Sequence, residues 1–331
     1  MKIGKLPNEL LDEIIIKPIT DHNPKRSEIL AQPSIGEDCC AISFGDNICV
    51  LSTDPITGAV NDIGKLAVNI NSNDIASAGA EPIGILVTAL LPPTITSEEI
   101  SHIMKDFYTT AGKLNISVLG GHTEVTDSVV RPILSCTIVG KTKSFISTGG
   151  CKEGDSLIMT KWAGLEGTSI IAKDYKDRLR VSEATLNKAL ELTQHLSVIK
   201  EGKIASQLGA NAMHDVTEGG ILGACWEMAS CSGKGVTVYT DNISMLDCTR
   251  EICDYIGINP LRLISSGSML ISTDKPQQLI NALSKENIPA CVIAEITCGD
   301  MLIKNKEGTF PLTEPDCDEL YKVDGLLKTG V

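Results

Sequence analysis

The chain has 331 residues, with 29 lysines and arginines against 42 aspartates and glutamates, a formal net charge of −13. Its length suggests about two domains of about 150 residues each, with a core large enough to need no disulfide or metal staple. The acidic balance counts against nucleic acid and anionic membrane partners, which need clustered lysine and arginine. An aromatic content of 3% counts against base stacking, and an apolar fraction of 42% reads as globular rather than disordered.

Twelve cysteines are scattered without a single C-x-x-C pair, so reduced core thiols in a cytoplasmic protein are expected. The opening segment MKIGKLPNELLDEIIIKP carries charge throughout and has no apolar centre of a leader peptide. The longest apolar stretch, Ile83 to Leu91, is too short to span a bilayer.

In chain order, Leu10, Leu11, Ile14 and Ile15 recur at helical spacing, predicting a helix from Asn8 to Lys17 that Pro18 ends. A loop over Gln32–Gly36 leads into Glu37-Asp38, and Ile48–Thr53 reads as a strand stopping at Asp54-Pro55. Residues 62–78 read as a helix closed by Gly79, and 84–91 as a buried strand. Thr96-Ser97-Glu98-Glu99 is a capping box opening a helix to about Leu114. Strands are expected at 116–119 and 130–139, and the glycines of 141–154 suggest a boundary between domains 1–145 and 146–331. Beyond it, strands are expected at 156–160, 211–214, 235–239, 268–272 and 290–297, alternating with helices at 166–173, 182–195, 219–230, 247–255 and 275–286. Such alternation defines an α/β (α+β) layered class.

Four segments break local rules, which is where function is expected. Gly36-Glu37-Asp38 places two acids after a turn, and Ser52-Thr53-Asp54 ends a strand on a carboxylate. Asn69, Asn71, Asn73 and Asp74 crowd a helix although these side chains compete for its backbone hydrogen bonds. Gly120-Gly121-His122-Thr123-Glu124 puts polar groups behind a glycine pair at a strand end. Aspartates on loops at strand ends suit a hard cation such as Mg²⁺, bound together with substrate phosphates. A nucleoside triphosphate is the expected ligand, yet the chain has neither a P-loop nor a G-x-G-x-x-G fingerprint. His214-Asp215-Val216-Thr217-Glu218-Gly219-Gly220 adds a helix start whose N–H groups suit an anion, with His214 read as a hydrogen-bonded core histidine. Lys65 is read as lying on a solvated helix face.

Taken in order, Gly36-Glu37-Asp38, Ser52-Thr53-Asp54, the stretch from Gly64 to Pro82, Gly120 to Glu124 and His214 to Gly220 resemble the AIR synthetase-related, PurM-like superfamily over roughly residues 30–310. The nearest likeness is to its HypE branch of hydrogenase maturation. The resemblance implies a two-domain fold, with an N-terminal domain that pairs across a two-fold axis into a dimeric β-barrel and a C-terminal α/β domain beside it. It implies ATP and Mg²⁺ in the cleft between them, and phosphorylation or dehydration of a small or protein-borne substrate, with a partner protein in a maturation pathway. Transferred residue by residue, Asp38, Asp54 and Asp74 are the metal ligands. Gly36, Asp38, Asn73, Gly120, Gly121 and Thr123 contact the nucleotide, and Asp74, Glu124 and Asp215 are catalytic. HypE proteins end in a cysteine, whereas the last cysteine here is Cys317. Ser266 stands where relatives carry a glutamate and His122 where many carry an acid. These departures count against thiocyanate-forming chemistry. The alternatives are a nucleotide-binding regulatory or assembly protein without turnover, and a kinase like thiamine-monophosphate kinase.

Overall fold

The structure is a computed structural model that describes residues 6–57, 62–315 and 317–329. Residues 1–5, the start of the segment read above as lacking a leader peptide, lie outside them. Helix α1 (Asn8–Leu11), a wider π-helical turn over Asp12–Ile16 and α2 (Lys17–His22) follow one another directly. Pro18 therefore does not end the helix. It lies at the start of α2, directly after the wider π-helical turn, within one continuous helical run.

Strands β1 (Ile29–Ala31), β2 (Cys40–Phe44) and β3 (Asn47–Ile56) are followed by helix α3 (Ile63–Ser77), strand β4 (Glu81–Leu91), helix α4 (Ser97–Lys113), and strands β5 (Ser117–Val125) and β6 (Ile133–Thr142). They form a six-stranded sheet in the order β1-β2-β3-β6-β4-β5, antiparallel except where α4 crosses between the parallel β4 and β5. The capping box forms as expected, Thr96 and Glu99 exchanging hydrogen bonds at the start of α4. Two strands outrun the sequence reading. β3 continues through Pro55 because β2 pairs with it only as far as Leu51, which leaves a free side where the absent N–H is tolerated. β5 continues through Gly120-Gly121. An ideal Cβ on Gly121 would stand 1.8 Å from the Val87 carbonyl oxygen, so only glycine permits that pairing. β5 is an edge, and Val118, Leu119 and Val125 on it are exposed, as are Ile83 and Leu86 on β4.

The second half contributes β7 (Ser156–Thr160), α5 (Leu165–Asp174), α6 (Glu183–Glu191), α7 (Ile199–Gln207), β8 (Ala212–Asp215), α8 (Gly220–Cys231), β9 (Gly235–Tyr239), α9 (Asp247–Ile256), β10 (Met269–Thr273), α10 (Pro276–Lys285), β11 (Ala290–Thr297), β12 (Met301–Asn305), β13 (Gly308–Pro311) and α11 (Val323–Thr329). Its seven strands run in the order β13-β12-β9-β11-β7-β10-β8. The helix expected over 182–195 ends at Glu191 and tightens to a 3₁₀ turn over Leu192–His195.

α3 holds the two halves together. It lies on the first sheet, against α4 and α7, and residues 63–77 are buried apart from Lys65, which is half-buried. Asn73 is fully buried. Its Nδ2 donates to the Leu196 carbonyl at 2.8 Å and its Oδ1 accepts from the Val198 N–H at 2.9 Å. Nearby, Lys161 forms a buried ion pair with Glu201 at 2.7 Å and also donates to the carbonyls of His195 and Ser197. The same 195–198 segment is thus held from both sides. Gly202 on α7 lets the helices meet closely, since a Cβ there would lie 2.2 Å from the Ala76 carbonyl. Lys65 does not sit on a solvated face. Its ammonium donates to Thr193 at 2.9 Å.

Replacing Asn73 by alanine strands two buried backbone groups. We expect a loss of about 3 kcal/mol in urea unfolding at pH 7.

Candidate active site

Four carboxylates are delivered by four separate elements. The turn at Ser34–Glu37, with Gly36 at φ +77°, turns the chain so that Asp38 follows into β2. β3 carries Asp54, α3 carries Asp74 and the end of β8 carries Asp215. Asp74 is 1% exposed and accepts from the Ser52 hydroxyl at 2.6 Å. Asn71 on the same helix accepts from the Asp54 N–H at 3.2 Å, tying β3 to α3. Burial holds the Asp74 carboxyl well above the ordinary carboxylate range. The charges of Asp215, Asp54 and Asp38 push it further, and the Ser52 hydrogen bond opposes them.

Asp38, His214 and Asp215 offer ligand atoms that all lie within 4.8 Å of one another. His214 is a core histidine, as the sequence suggested, 2% exposed and with Nε2 3.1 Å from Glu227. Burial alone lowers its pKa, but the Glu227 hydrogen bond and charge, with Asp38 and Asp215, outweigh that and raise it to about 9. A protonated imidazole in this place balances part of the acid charge. The charges of Asp38, Asp54 and Asp215 all bear on Asp74, and carboxylate oxygens gathered in this way are the hard donor set that Mg²⁺ takes, so these acids fit that ion.

Asp38, Asp54 and Asp74 line a cleft of about 340 Å³ between the two halves of the chain. Arg131, Glu166, Thr217, Glu218, Ser266, Asp318 and Tyr321 line it too, with Ile56, Ile70 and Ile170 among the apolar wall. The N–H groups expected to await an anion at Gly219-Gly220 are already used. The chain's own Asp318 accepts from the Gly219 N–H at 2.8 Å, and the Gly220 N–H donates to the Thr217 carbonyl.

The other residues singled out from the sequence lie elsewhere. Asn73 has its amide committed to Leu196 and Val198, as described above. Gly120, Gly121, Thr123 and Glu124 sit on the exposed edge strand β5 and do not line the cleft, and Glu124 approaches His122 at 3.6 Å. Sequence reasoning passed over Arg131, Ser266 as a cleft residue, Asp318 and Tyr321. Glu166 stood only in a glycine loop whose signal is weak alone.

Residues 36–142 match the N-terminal domain, and 152–303 the C-terminal domain, of AIR synthase related proteins. The chain belongs to the AIR synthase related family, and its two sheets are the two domains of the PurM-like fold. A putative hydrogenase expression/formation protein of Methanocaldococcus jannaschii is 30% identical over 82% of this chain and 81% of its own. A selenide, water dikinase of Methanococcus maripaludis is 26% identical over 94% and 95%. Among solved structures, a HypE–HypF complex superposes with a TM-score of 0.74 at 20% identity, over 91% of this chain and all of the matched one. A ThiL protein complexed with AMPPCP and TMP also gives 0.74, at 17% identity over 92% and 96%.

A carboxyl whose pKa is raised in the folded state binds its proton more tightly there than in the unfolded chain. Its contribution is therefore lost as pH rises from the ordinary carboxylate range through the folded value. Metal-free protein should melt lower as pH rises from 5 to 8, and Mg²⁺ should reverse most of that fall. Asp74→Asn should melt higher than wild type without Mg²⁺ at pH 8 and respond less to the ion. Differential scanning calorimetry across that range checks both.

Proposed function

We propose that this chain is an ATP-using, Mg²⁺-dependent enzyme of HypE-like type, which phosphorylates or dehydrates a substrate held in the cleft and releases ADP. The observation that carries the reading is the convergence of Asp38, Asp54 and Asp74, from three elements, on the lining of one cleft, with Asp215 from a fourth adding its charge to Asp74. Two of these acids, Asp74 and Asp215, are buried. Phosphoryl transfer asks for little covalent chemistry from a protein and much charge neutralisation and alignment. The chain's part is to hold the ion with these oxygens, to keep Asp74 aimed through Ser52, and to exclude water with the isoleucine wall. The bound ion would neutralise phosphate charge. Likeness to a ThiL protein solved with an ATP analogue, and to a selenide, water dikinase, supports an ATP reaction. Likeness to a hydrogenase expression/formation protein and to HypE in complex with HypF supports a protein partner in maturation. Among the described residues no helix is long and apolar enough to cross a membrane.

The exposed apolar residues of the β4–β5 edge support a homodimer that buries this face, with the two edges closing into a barrel. In that arrangement Gly120, Gly121, Thr123 and Glu124 meet the second copy.

Phosphate release from ATP in the presence of Mg²⁺ tests the activity. Wild type should turn over and Asp74→Asn should fall by about a hundredfold or more. Equal rates in both remove the assigned site, and tight ATP binding without ADP formation turns the reading to a nucleotide-binding assembly protein. Sedimentation velocity tests the dimer: wild type should sediment as a dimer and Leu119→Lys as a monomer.

A further inference from the structure

His214 offers a nitrogen that a site of carboxylates and Mg²⁺ does not account for. It stands beside Asp215 on β8, 2% exposed, and the two nitrogens of its ring have different surroundings. Nε2 lies 3.1 Å from Glu227 of α8, within hydrogen-bond reach. Nδ1 is also buried and has no hydrogen-bond partner among the described residues, and the Asp38 Oδ2 that it faces is 3.7 Å away. A charge-assisted hydrogen bond would bring that pair under about 3 Å. The observed spacing is closer to that of two donors on one ion. Ligands about 2.1 Å from a metal lie about 3–3.5 Å apart at tetrahedral to octahedral angles. Asp215 supplies a third donor, since one ligand atom from each of Asp38, His214 and Asp215 falls within 4.8 Å of the others. The set spans the two halves of the chain, with Asp38 just before β2 and the other two at the end of β8.

We propose that Asp38, His214 and Asp215 hold a divalent transition ion, bound through Nδ1 and one carboxylate oxygen of each aspartate, beside the oxygen ligands that Mg²⁺ takes. Glu227, on the far nitrogen, is the outer carboxylate that orients a ligating imidazole and raises its basicity. Mg²⁺ keeps to oxygen donors, whereas imidazole suits transition ions, so the nitrogen decides which ion is held. The ion takes the place of the proton that His214 carries without it. Asp38 lines the cleft and its side chain is 37% exposed, so an ion reaches the set from that side. Any part the ion plays in turnover rests on the function proposed above, but its binding to the nucleotide-free chain does not.

The probe is Mn²⁺, added below one equivalent to the full nucleotide-free chain in excess Mg²⁺ and read by electron spin echo envelope modulation. Wild type should show the nitrogen coupling of a directly bound imidazole. His214→Gln should lose that coupling, and its preference for Mn²⁺ over Mg²⁺ should fall by about tenfold or more, because losing a ligand costs no less than losing the group that supports it. Glu227→Gln should bind Mn²⁺ about tenfold more weakly and keep the coupling. Asp74→Asn alters an acid outside the set and should also keep it, and loss of the coupling there overturns the three-residue set. Mn²⁺ ligated by oxygen alone in wild type, no Mn²⁺ bound, or an unchanged ion preference in His214→Gln overturns the site and leaves His214 an internal counter-ion. The wild-type spectrum decides the matter even where a variant fails to fold. Phosphate release from ATP by the same preparation reads the reaction separately, so failure of one is distinguishable from failure of the other.

Discussion

A helix buried on every side leaves no polar group to water, and α3 carries six such buried side chains: Asn69, Asn71, Ser72, Asn73, Asp74 and Ser77. Each must find its partner inside the protein or cost the fold its desolvation. Those partners are what organise the molecule. Asn69, Ser72 and Ser77 bond back to their own helix. Asn71 reaches β3 beside Asp54, Asn73 reaches across to the second half, and Asp74 faces Ser52 and the other acids. The cleft exists because one helix is anchored by amides on two sides and leaves a carboxylate between them.

This explains which parts could be read beforehand. The alternation of strands and helices was plain because each long element carries its own hydrophobic period. The cluster of Asp38, Asp54 and Asp74 was visible because polar residues stood where local propensity disfavours them. The purpose of the asparagines was harder. That Asn73 would serve as an interdomain clamp depends on carbonyl and amide groups at Leu196 and Val198, and nothing near Asn73 in sequence announces them. α7, with its close approach at Gly202, went unread for a similar reason, since its burial is decided by α3. The start of α8 looked like an open anion site because Asp318, which occupies it, lies 99 residues further on.

Strand ends show the same limit in another form. Asp54-Pro55 and Gly120-Gly121 are stop signals in isolation, and both are overruled by neighbours. A short β2 frees one side of β3 at the proline, and the backbone of β4 presses against β5 so closely that glycine becomes a requirement for continuing. Propensity describes a segment alone, whereas a sheet judges it by what lies alongside.

The reach of the Asn73 clamp has a consequence for how the protein is made. Its two partners lie 123 and 125 residues downstream. While the chain is synthesised from its N-terminus, the first sheet can assemble, but α3 must wait with its amide uncovered until the 196–198 segment emerges. The N-terminal half is thus an unfinished template. The two halves reach their final stability in one late, long-range step, and the cleft between them is completed only then.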